Sequence, residues 1–299
     1  MVIMSISFIR RAAYELFLVA HMLFPVVVAF IILHVAGTWP GFIPGLTLHA
    51  ADMGIRILMW IRSKRARVHH YGSITRLDVD LLHKPILKGG EYYFVNIPAL
   101  SPFEWHPFSA SGLAENTVSF HIQARAPGSW TDNLSVLSTH SLVANLDGPY
   151  GGIPLNLHSY ECIVIIAGGI GITPFPILLE QLLTQTITDG NKLRHIILHW
   201  TLKNYTLHSL IVPKLAELQM KDSVVALEVK TYYSGVDALS YCGVSPSPGR
   251  LDVAAAICSI HERQSSMCCL LCGPESLVSE GARCSNSRGI DFYSEVFLF

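Results

Sequence analysis

Hydrophobic residues fall into three successive patterns along this chain, and each predicts a different structure. Leu16 to Val35 is an apolar run broken only by His21 and His34. Phe42 to Ile61 is a second run, which holds His49, Asp52 and Arg56. The first is long enough to cross a bilayer and longer than the apolar core of a secretory signal. From Arg67 to Leu157 the apolar residues come in short or alternating stretches: Val79, Tyr92 to Ile97, Val118 to Ile122 and Leu142 to Leu146. Bounded by turn residues, these predict an all-β unit. From Ser159 to Phe299 the pattern alternates. Strands are predicted over Cys162–Ile166, Ile196–Trp200, Val224–Val229, Met267–Leu271 and Ile290–Tyr293. Helices are predicted over Pro174–Thr184, Leu207–Met220, Leu251–Ile260 and Pro274–Arg283. Such alternation implies a parallel sheet with helical crossovers. The expected organisation is a membrane-anchored, multidomain chain. An α-helical transmembrane hairpin occupies residues 1–67, a β-barrel 68–157 and an α/β domain 158–299.

Charge adds an orientation to this picture. Arg10 and Arg11 precede the first run, and Arg62, Lys64, Arg65 and Arg67 follow the second. A hairpin places both clusters on one side, which the positive-inside rule makes cytosolic. The connection around Gly37 to Gly41 is then a short loop on the far side. Charged residues make up 14% of the chain and mean hydropathy is +0.40, so it is more apolar than an ordinary soluble enzyme, and the excess lies near the start. A net charge of −1 suggests no nucleic-acid partner. The seven cysteines all lie in the α/β part, in or beside apolar runs, as reduced thiols do. Cys269 and Cys272 form a C-x-x-C, read as a buried strand because no second pair sits at zinc-like spacing.

The segment Ala167-Gly168-Gly169-Ile170-Gly171-Ile172-Thr173-Pro174 joins a predicted strand to a predicted helix. A glycine turn there lets backbone N–H groups approach a diphosphate at a helix N-terminus. A tight connection alone would also explain it, and the spacing is not G-x-G-x-x-G. Three further signals accompany it: His106-Pro107-Phe108-Ser109 followed by Trp130-Thr131, then Asp147-Gly148-Pro149-Tyr150-Gly151, then Cys272-Gly273-Pro274 ahead of an aromatic tail, Phe292 to Phe299. Each alone could be a turn or core segment. In the first apolar run, thirteen residues separate His21 and His34, a rise of about 19.5 Å and a rotation of roughly 220° on a helix. The rise suits two haems, one near each membrane face. The plainer reading is two histidines hydrogen-bonded within a helix bundle.

Taken together these segments resemble the ferric reductase and NADPH oxidase family, the membrane flavocytochromes b. His106-Pro107-Phe108-Ser109 matches its flavin-binding H-P-F-[ST]. His121-Ile122-Gln123 and Trp130-Thr131 match its H-I-[RK]…W-T. The segments around Gly148-Pro149, Gly168 to Pro174 and Cys272 to Pro274 match its nicotinamide-nucleotide segments, and Glu295-Val296-Phe297 its terminal E-x-F. The spacing of His21 and His34 matches a haem-ligand pair, and Pro44 to Arg56 resembles the family's sixth helix, with Met53 in place of a basic residue. Two departures stand out. Gln123 replaces a basic residue facing the flavin diphosphate, with Arg125 two residues on. The helix carrying the other two haem histidines has no counterpart here, which points to a truncated chain or a second chain completing the haem sites.

The resemblance implies a ferredoxin-reductase-type barrel that holds FAD, followed by an NADP-binding domain. It also implies a transmembrane oxidoreductase that passes electrons from NADPH through FAD and haem b to an extracytosolic acceptor. The short inter-span loop favours ferric chelates. The alternatives are O2, as in a superoxide-generating oxidase, and a haem-deficient remnant. The residues implied around the flavin are His106, Pro107, Phe108, Ser109, His121, Trp130 and Thr131. Gly148, Pro149, Gly168, Gly169, Gly171, Thr173, Pro174, Gly273 and Pro274 belong to the nicotinamide-nucleotide segments, with Lys203 at the 2′-phosphate. Cys272 should sit near the nicotinamide, Phe297 should cover the flavin ring, and His21 and His34 should hold haem iron. The implied location is a membrane in contact with lipid, with both nucleotide domains cytosolic.

Overall fold

The computed structural model describes residues 23–35, 37, 39–61, 63–102, 104–137, 141–184, 191–235, 247–261 and 266–296. The chain divides into two compact units, Met1–Ile61 and Arg62–Phe299. In the first, α1 (Phe24–His34) begins with Pro25 in its first turn, where the missing N–H costs nothing. The second helix, α2 (Trp39–Ile61), carries Pro44 inside. Among the described residues no helix is long and apolar enough to cross a membrane. The described part of the first apolar run is an eleven-residue helix. Its N-terminal part, including His21, lies outside the described residues. The second run forms the expected helix, yet Asp52 and Arg56 lower its apolarity.

The second unit begins with strands β1 (Lys64–Tyr71), β2 (Ile74–Asp80), β3 (Glu91–Asn96), β4 (His106–Ser109), β5 (Gly112–Ala114) and β6 (Thr117–Gln123). A short helix α3 (Trp130–Ser135) and strand β7 (Ser141–Gly151) follow. The strands form one seven-stranded antiparallel sheet in the order β4-β3-β7-β1-β2-β6-β5. Its two edges, β4 and β5, are joined by Ala110 and Ser111 alone. A link that short spans at most about 11 Å, so the sheet must roll up. Ala110 N–H donates to Glu91 O on one side and Ser111 N–H to Ser119 O on the other. The rolled interior holds Val68, Leu77, Val95, Ile97, Phe120 and Leu134, all fully buried.

The α/β part contains β8 (Cys162–Gly168), a 3-10 turn (Gly169–Ile172), α4 (Phe175–Thr184), β9 (His195–Leu202) and α5 (Tyr205–Gln219). It continues with β10 (Ala226–Tyr233), β11 (Ser247–Pro248), α6 (Val253–His261), β12 (Met267–Gly273), α7 (Glu275–Asn286) and β13 (Asp291–Val296). Its six strands are parallel in the order β11-β10-β9-β8-β12-β13. Every residue of β8 and of β12 is buried. That is why both read as unbroken apolar runs rather than alternating ones. From β8 the chain first builds outward through β9 to β11, then returns to build β12 and β13 on the other side. The crevice at the carboxyl ends of β8 and β12 is therefore the switch point where such sheets bind ligands.

The barrel and the α/β part are fastened together. Gly89 N–H donates to Gln181 Oε1 at 2.9 Å, and Gln181 Nε2 donates to Leu87 O. A side chain at 89 would meet Leu178 Cβ at 2.3 Å, so only glycine fits against α4. Asn204, the N-cap of α5, donates to Ser73 Oγ at 2.7 Å.

Candidate functional site

Two cavities lie side by side in the second unit. The first, of about 490 Å³, is lined by His106 to Ser109 of β4, His121 to Arg125 of β6 and the loop after it, Ser129 to Thr131 at the start of α3, and Ile170 and Thr173. The second, of about 630 Å³, is lined by Gly168, Gly169, Thr201 to Asn204, Leu207, Ser234, Arg250, Pro274, Ser276 and Leu277. Gln123 lines both. The turn after β8 thus serves as a party wall: Gly168 and Gly169 face one cavity, Ile170 and Thr173 the other.

The first cavity is built by side chains. His106 packs against Trp130 with ring centroids 4.6 Å apart, and Phe108 stacks on the same indole at 5.8 Å. Ser109 Oγ, Trp130 Nε1 and His106 Nε2 are buried with no hydrogen-bond partner. Unpaired buried polar atoms are costly, and three around one cavity are donors and acceptors waiting for a ligand. Burial lowers the pKa of His106, while the Glu104 carboxylate 3.7 Å from Nε2 pulls it upward. The net direction is down, so the ring is held neutral.

His121 sits on the opposite wall. Burial, reinforced by Arg76, pushes its pKa down to about 4. Ser111 has a single hydroxyl hydrogen, and Oγ lies 3.0 Å from Ser119 O and 2.7 Å from His121 Nδ1. Both contacts are satisfied when Ser111 donates to Ser119 O and accepts from His121 Nδ1–H. That leaves His121 Nε2 as an acceptor. At the start of α3, Ser129 Oγ accepts from Asp132 N–H and Asp132 accepts from Gly128 N–H, a reciprocal cap. Thr131 Oγ1 accepts from Arg125 N–H at 3.2 Å, which ties the Arg125 segment to this wall.

One side of the second cavity is set by the close approach of two strand ends. A Cβ on Gly168 would meet Pro274 Cδ at 2.6 Å, and one on Gly171 would meet Cys272 O at 2.4 Å. Gly273, with φ +154°, packs on the Gly168 backbone. These three glycines let the ends of β8 and β12 touch. Gly169 is different: its φ is +54° and its missing side chain would point into open space. Trp200 Nε1 donates to Gly169 O at 2.9 Å and fixes the turn. Lys203 follows β9, and Arg250 precedes α6. Both are exposed at this cavity, and together they give it two positive charges.

Against the residues expected from sequence, the structure brings together His106, Pro107, Phe108, Ser109, His121, Trp130, Thr131 and Thr173 at the first cavity. It brings Gly168, Gly169, Lys203 and Pro274 together at the second. Gly171, Gly273 and the buried Pro174 support the wall without lining either. Gly148 and Pro149 lie in β7, where Gly148 packs on Tyr93 and Tyr150 donates to Asp147. They line neither cavity. Cys272 is buried in β12, and burial pushes its thiol up. It too lines neither, because the Gly171 and Gly273 backbones close over the strand end. His34 ends α1. His21 and Phe297 lie outside the described residues. Sequence patterns do not single out Ile170 or Arg250 as lining residues, nor do they show that Gln123 faces both cavities. An isolated arginine in a Pro/Ser-rich loop carries no signal in sequence, and only the fold brings Arg250 beside Lys203.

Comparison with known proteins follows the same division. Residues 73–154 match an FAD-binding domain, and residues 160–243 match the ferric reductase NAD binding domain. The chain belongs to the ferric reductase and NADPH oxidase family. It is 31% identical over 215 residues to ferric reduction oxidase 5 of Arabidopsis thaliana, covering 67% of this chain and 29% of that one. It is 26% identical over 267 residues to a superoxide-generating NADPH oxidase heavy chain of Dictyostelium discoideum, covering 77% and 50%. The chain therefore spans half or less of these relatives' length. Among solved structures, a ferredoxin NADP+ reductase from Neisseria gonorrhoeae with bound FAD and NADP aligns with a TM-score of 0.59 at 14% identity, covering 78% of this chain and 97% of that one. At that identity the likeness shows a ferredoxin-reductase-like fold.

Proposed function

We propose that the first cavity holds the isoalloxazine and phosphates of FAD, that the second holds NADPH, and that this chain is the electron-input part of a membrane reductase. The observation that carries this reading is the shared wall. Gly168 and Gly169 face one cavity, Ile170 and Thr173 face the other, and Gln123 faces both. Two cofactors that exchange a hydride must meet within a few ångströms, and adjacent cavities give that proximity.

FAD, when bound, supplies the conversion of a two-electron hydride into single electrons. The residues present fit it. Ser109 Oγ, Trp130 Nε1 and His106 Nε2 lack partners in a cavity with aromatic walls. The chain's own part is to bind and to orient. Phe108 and Trp130 offer stacking surface, and Ser109 offers a hydroxyl. Neutral His106 and His121 offer hydrogen bonds without adding positive charge. Arg125 takes over the diphosphate contact that Gln123 cannot supply as a cation. At the second cavity Lys203 and Arg250 pair with a 2′-phosphate, which favours NADPH over NADH. Pro274 and the start of α7 sit where the nicotinamide would approach the wall.

Beyond the flavin, the family points to a membrane location, to haem b held in part by His21 and His34, and to an extracytosolic acceptor. We read the acceptor as a ferric chelate, since the connection between α1 and α2 is short. Oxygen reduction is the second reading, favoured by the likeness to the Dictyostelium oxidase heavy chain. The test of the flavin site is the His106→Ala, Ser109→Ala double variant. It should lose at least about a hundredfold in FAD affinity, roughly 2.7 kcal/mol, while keeping its fold. Unchanged yellow colour after gel filtration would place the flavin elsewhere.

A further inference from the structure

Gln123 belongs to both cavities, and its surroundings hold it there from two sides. It is the last residue of β6 and pairs with Ile74, the first residue of β2. Along β6, Val118, Phe120 and Ile122 are buried, while Gln123 is half-buried at the rim. The next residue, Ala124, lines the first cavity, and its N–H donates to Ser73 O at 2.8 Å. Ser73 Oγ accepts from Asn204 Nδ2 at 2.7 Å, and Asn204 lines the second cavity. Asn204 Oδ1 accepts from Leu207 N–H at 3.3 Å as the N-cap of α5, and Leu207 lines the second cavity too. A short chain of hydrogen bonds therefore runs from one cavity, past the backbone of Gln123, to the other. The Gln123 side-chain amide itself makes no hydrogen bond with a described residue.

We propose that Gln123 couples the two cofactors: its amide donates one N–H to FAD and the other to the nicotinamide nucleotide, so each binds more tightly when the other is present. The inference rests on the assignment of the two cavities given above. The chemistry of the side chain suits the place. An amide nitrogen carries two hydrogens that point in different directions, and both cofactors offer diphosphate oxygens as acceptors. A cation at this position would be drawn to a single diphosphate as a fixed ion pair. A neutral amide has no such bias and can serve both.

The coupling arises from ordering. A long, half-exposed side chain loses rotamer freedom when it is fixed by a ligand. The first cofactor to bind bears that loss, and the second meets an amide already in place. The anchored backbone at Ser73 and Asn204 keeps the amide at the boundary, so only its side-chain torsions remain to be ordered. Gln123 is a positioning residue in this scheme and takes no part in hydride transfer.

The test is titration of FAD into the flavin-free full chain, followed by fluorescence, with and without saturating NADP+. In the parent chain NADP+ should tighten FAD binding about fivefold. By linkage, FAD should tighten NADP+ binding by the same factor. Gln123→Met keeps the length of the side chain and removes its polar atoms. In that variant the factor should fall to about one, at an unchanged melting temperature. A merely structural role would weaken both cofactors and leave the factor as it was. Retention of the full factor by Gln123→Met would overturn the proposal. So would a parent chain in which the two cofactors bind independently or oppose each other, and that result would leave the assignment of the cavities standing. A parent chain that binds neither cofactor would overturn both.

Discussion

The antiparallel barrel and the parallel sheet build their cavities by opposite means. In the barrel, β1 alternates, with its buried Ala66 and Val68 between exposed neighbours. The first cavity is made of side chains from strands and a short helix: His106, Ser109, His121 and Trp130. In the parallel sheet, β8 and β12 are buried on both faces. Their side chains are committed to the core. The second cavity is accordingly defined by the glycines at the end of β8 and by residues just past the strand ends. The lesson is that the two sites should fail differently. Removing side chains should empty the first without harming the fold. Adding a single methyl group at Gly171, in the wall behind the second, should damage the fold.

Gly171→Ala is the sharpest way to break that contrast. Its Cβ would sit 2.4 Å from Cys272 O, with no flexible side chain to move aside. The expected loss exceeds about 3 kcal/mol, seen as a large fall in melting temperature. Gly169→Ala meets open space, and its left-handed φ costs only about 1 kcal/mol. Equal effects would remove the packing argument.

Acid should act on both regions alike. His121 in the barrel and His199 in the parallel sheet are each held down to about 4, in both cases chiefly by burial. In the unfolded chain each titrates near its ordinary value of 6.5. The unfolded state therefore binds protons first as pH falls. The stability each contributes is complete above about pH 6.5 and is lost between there and about pH 4. Each is worth on the order of 3 kcal/mol across that window. Denaturation midpoints of the parent, His121→Gln and His199→Gln chains between pH 7 and 4 check this. Each variant should flatten part of the slope, and a parent curve with no slope contradicts both assignments.

The flavin-site double variant, His106→Ala with Ser109→Ala, comes next, with its loss of about a hundredfold in affinity at an unchanged melting temperature. A collapse of stability instead would mean the first cavity is as structural as the second. The smallest effect belongs to charge. Lys203→Ala or Arg250→Ala should each raise the NADPH KM about tenfold, roughly 1.4 kcal/mol, and leave that for NADH nearly unchanged. Both sit on exposed loops, so neither should change the melting temperature.

How much is legible in the sequence also differs between the regions. The parallel strands announce themselves, because burial on both faces demands continuous apolar runs. The runs Cys162–Ile166 and Met267–Leu271 predict β8 and β12, and each strand continues two residues further to its glycine. The run Val224–Val229 predicts β10, which instead spans Ala226 to Tyr233, since pairing with β9 carries it through the polar Lys230 and Thr231. The barrel is harder. β1 (Lys64–Tyr71) straddles the boundary expected at residue 67: its first residues read as a basic cluster after the second apolar run, yet pairing with β2 and β7 makes the strand central. Trp130 and Thr131 stand out by motif, but nothing in their pattern foretells the helix α3 that presents them. Gly148 and Pro149 come from the same kind of reading, and the structure sets them in β7, away from both cavities. Motifs report which residues matter. They cannot report which residues meet, because Arg250 and Lys203, or Gln123 and Gly169, become neighbours only through the fold.

The central claim is that the two cavities share a wall across which NADPH reduces FAD. Its most direct measurement is anaerobic addition of NADPH to the full chain reconstituted with FAD, followed by visible absorbance. The account predicts that the flavin band bleaches, and does so faster with NADPH than with NADH. A chain that holds FAD tightly through His106 and Ser109, yet whose flavin band is untouched by saturating NADPH, would contradict it.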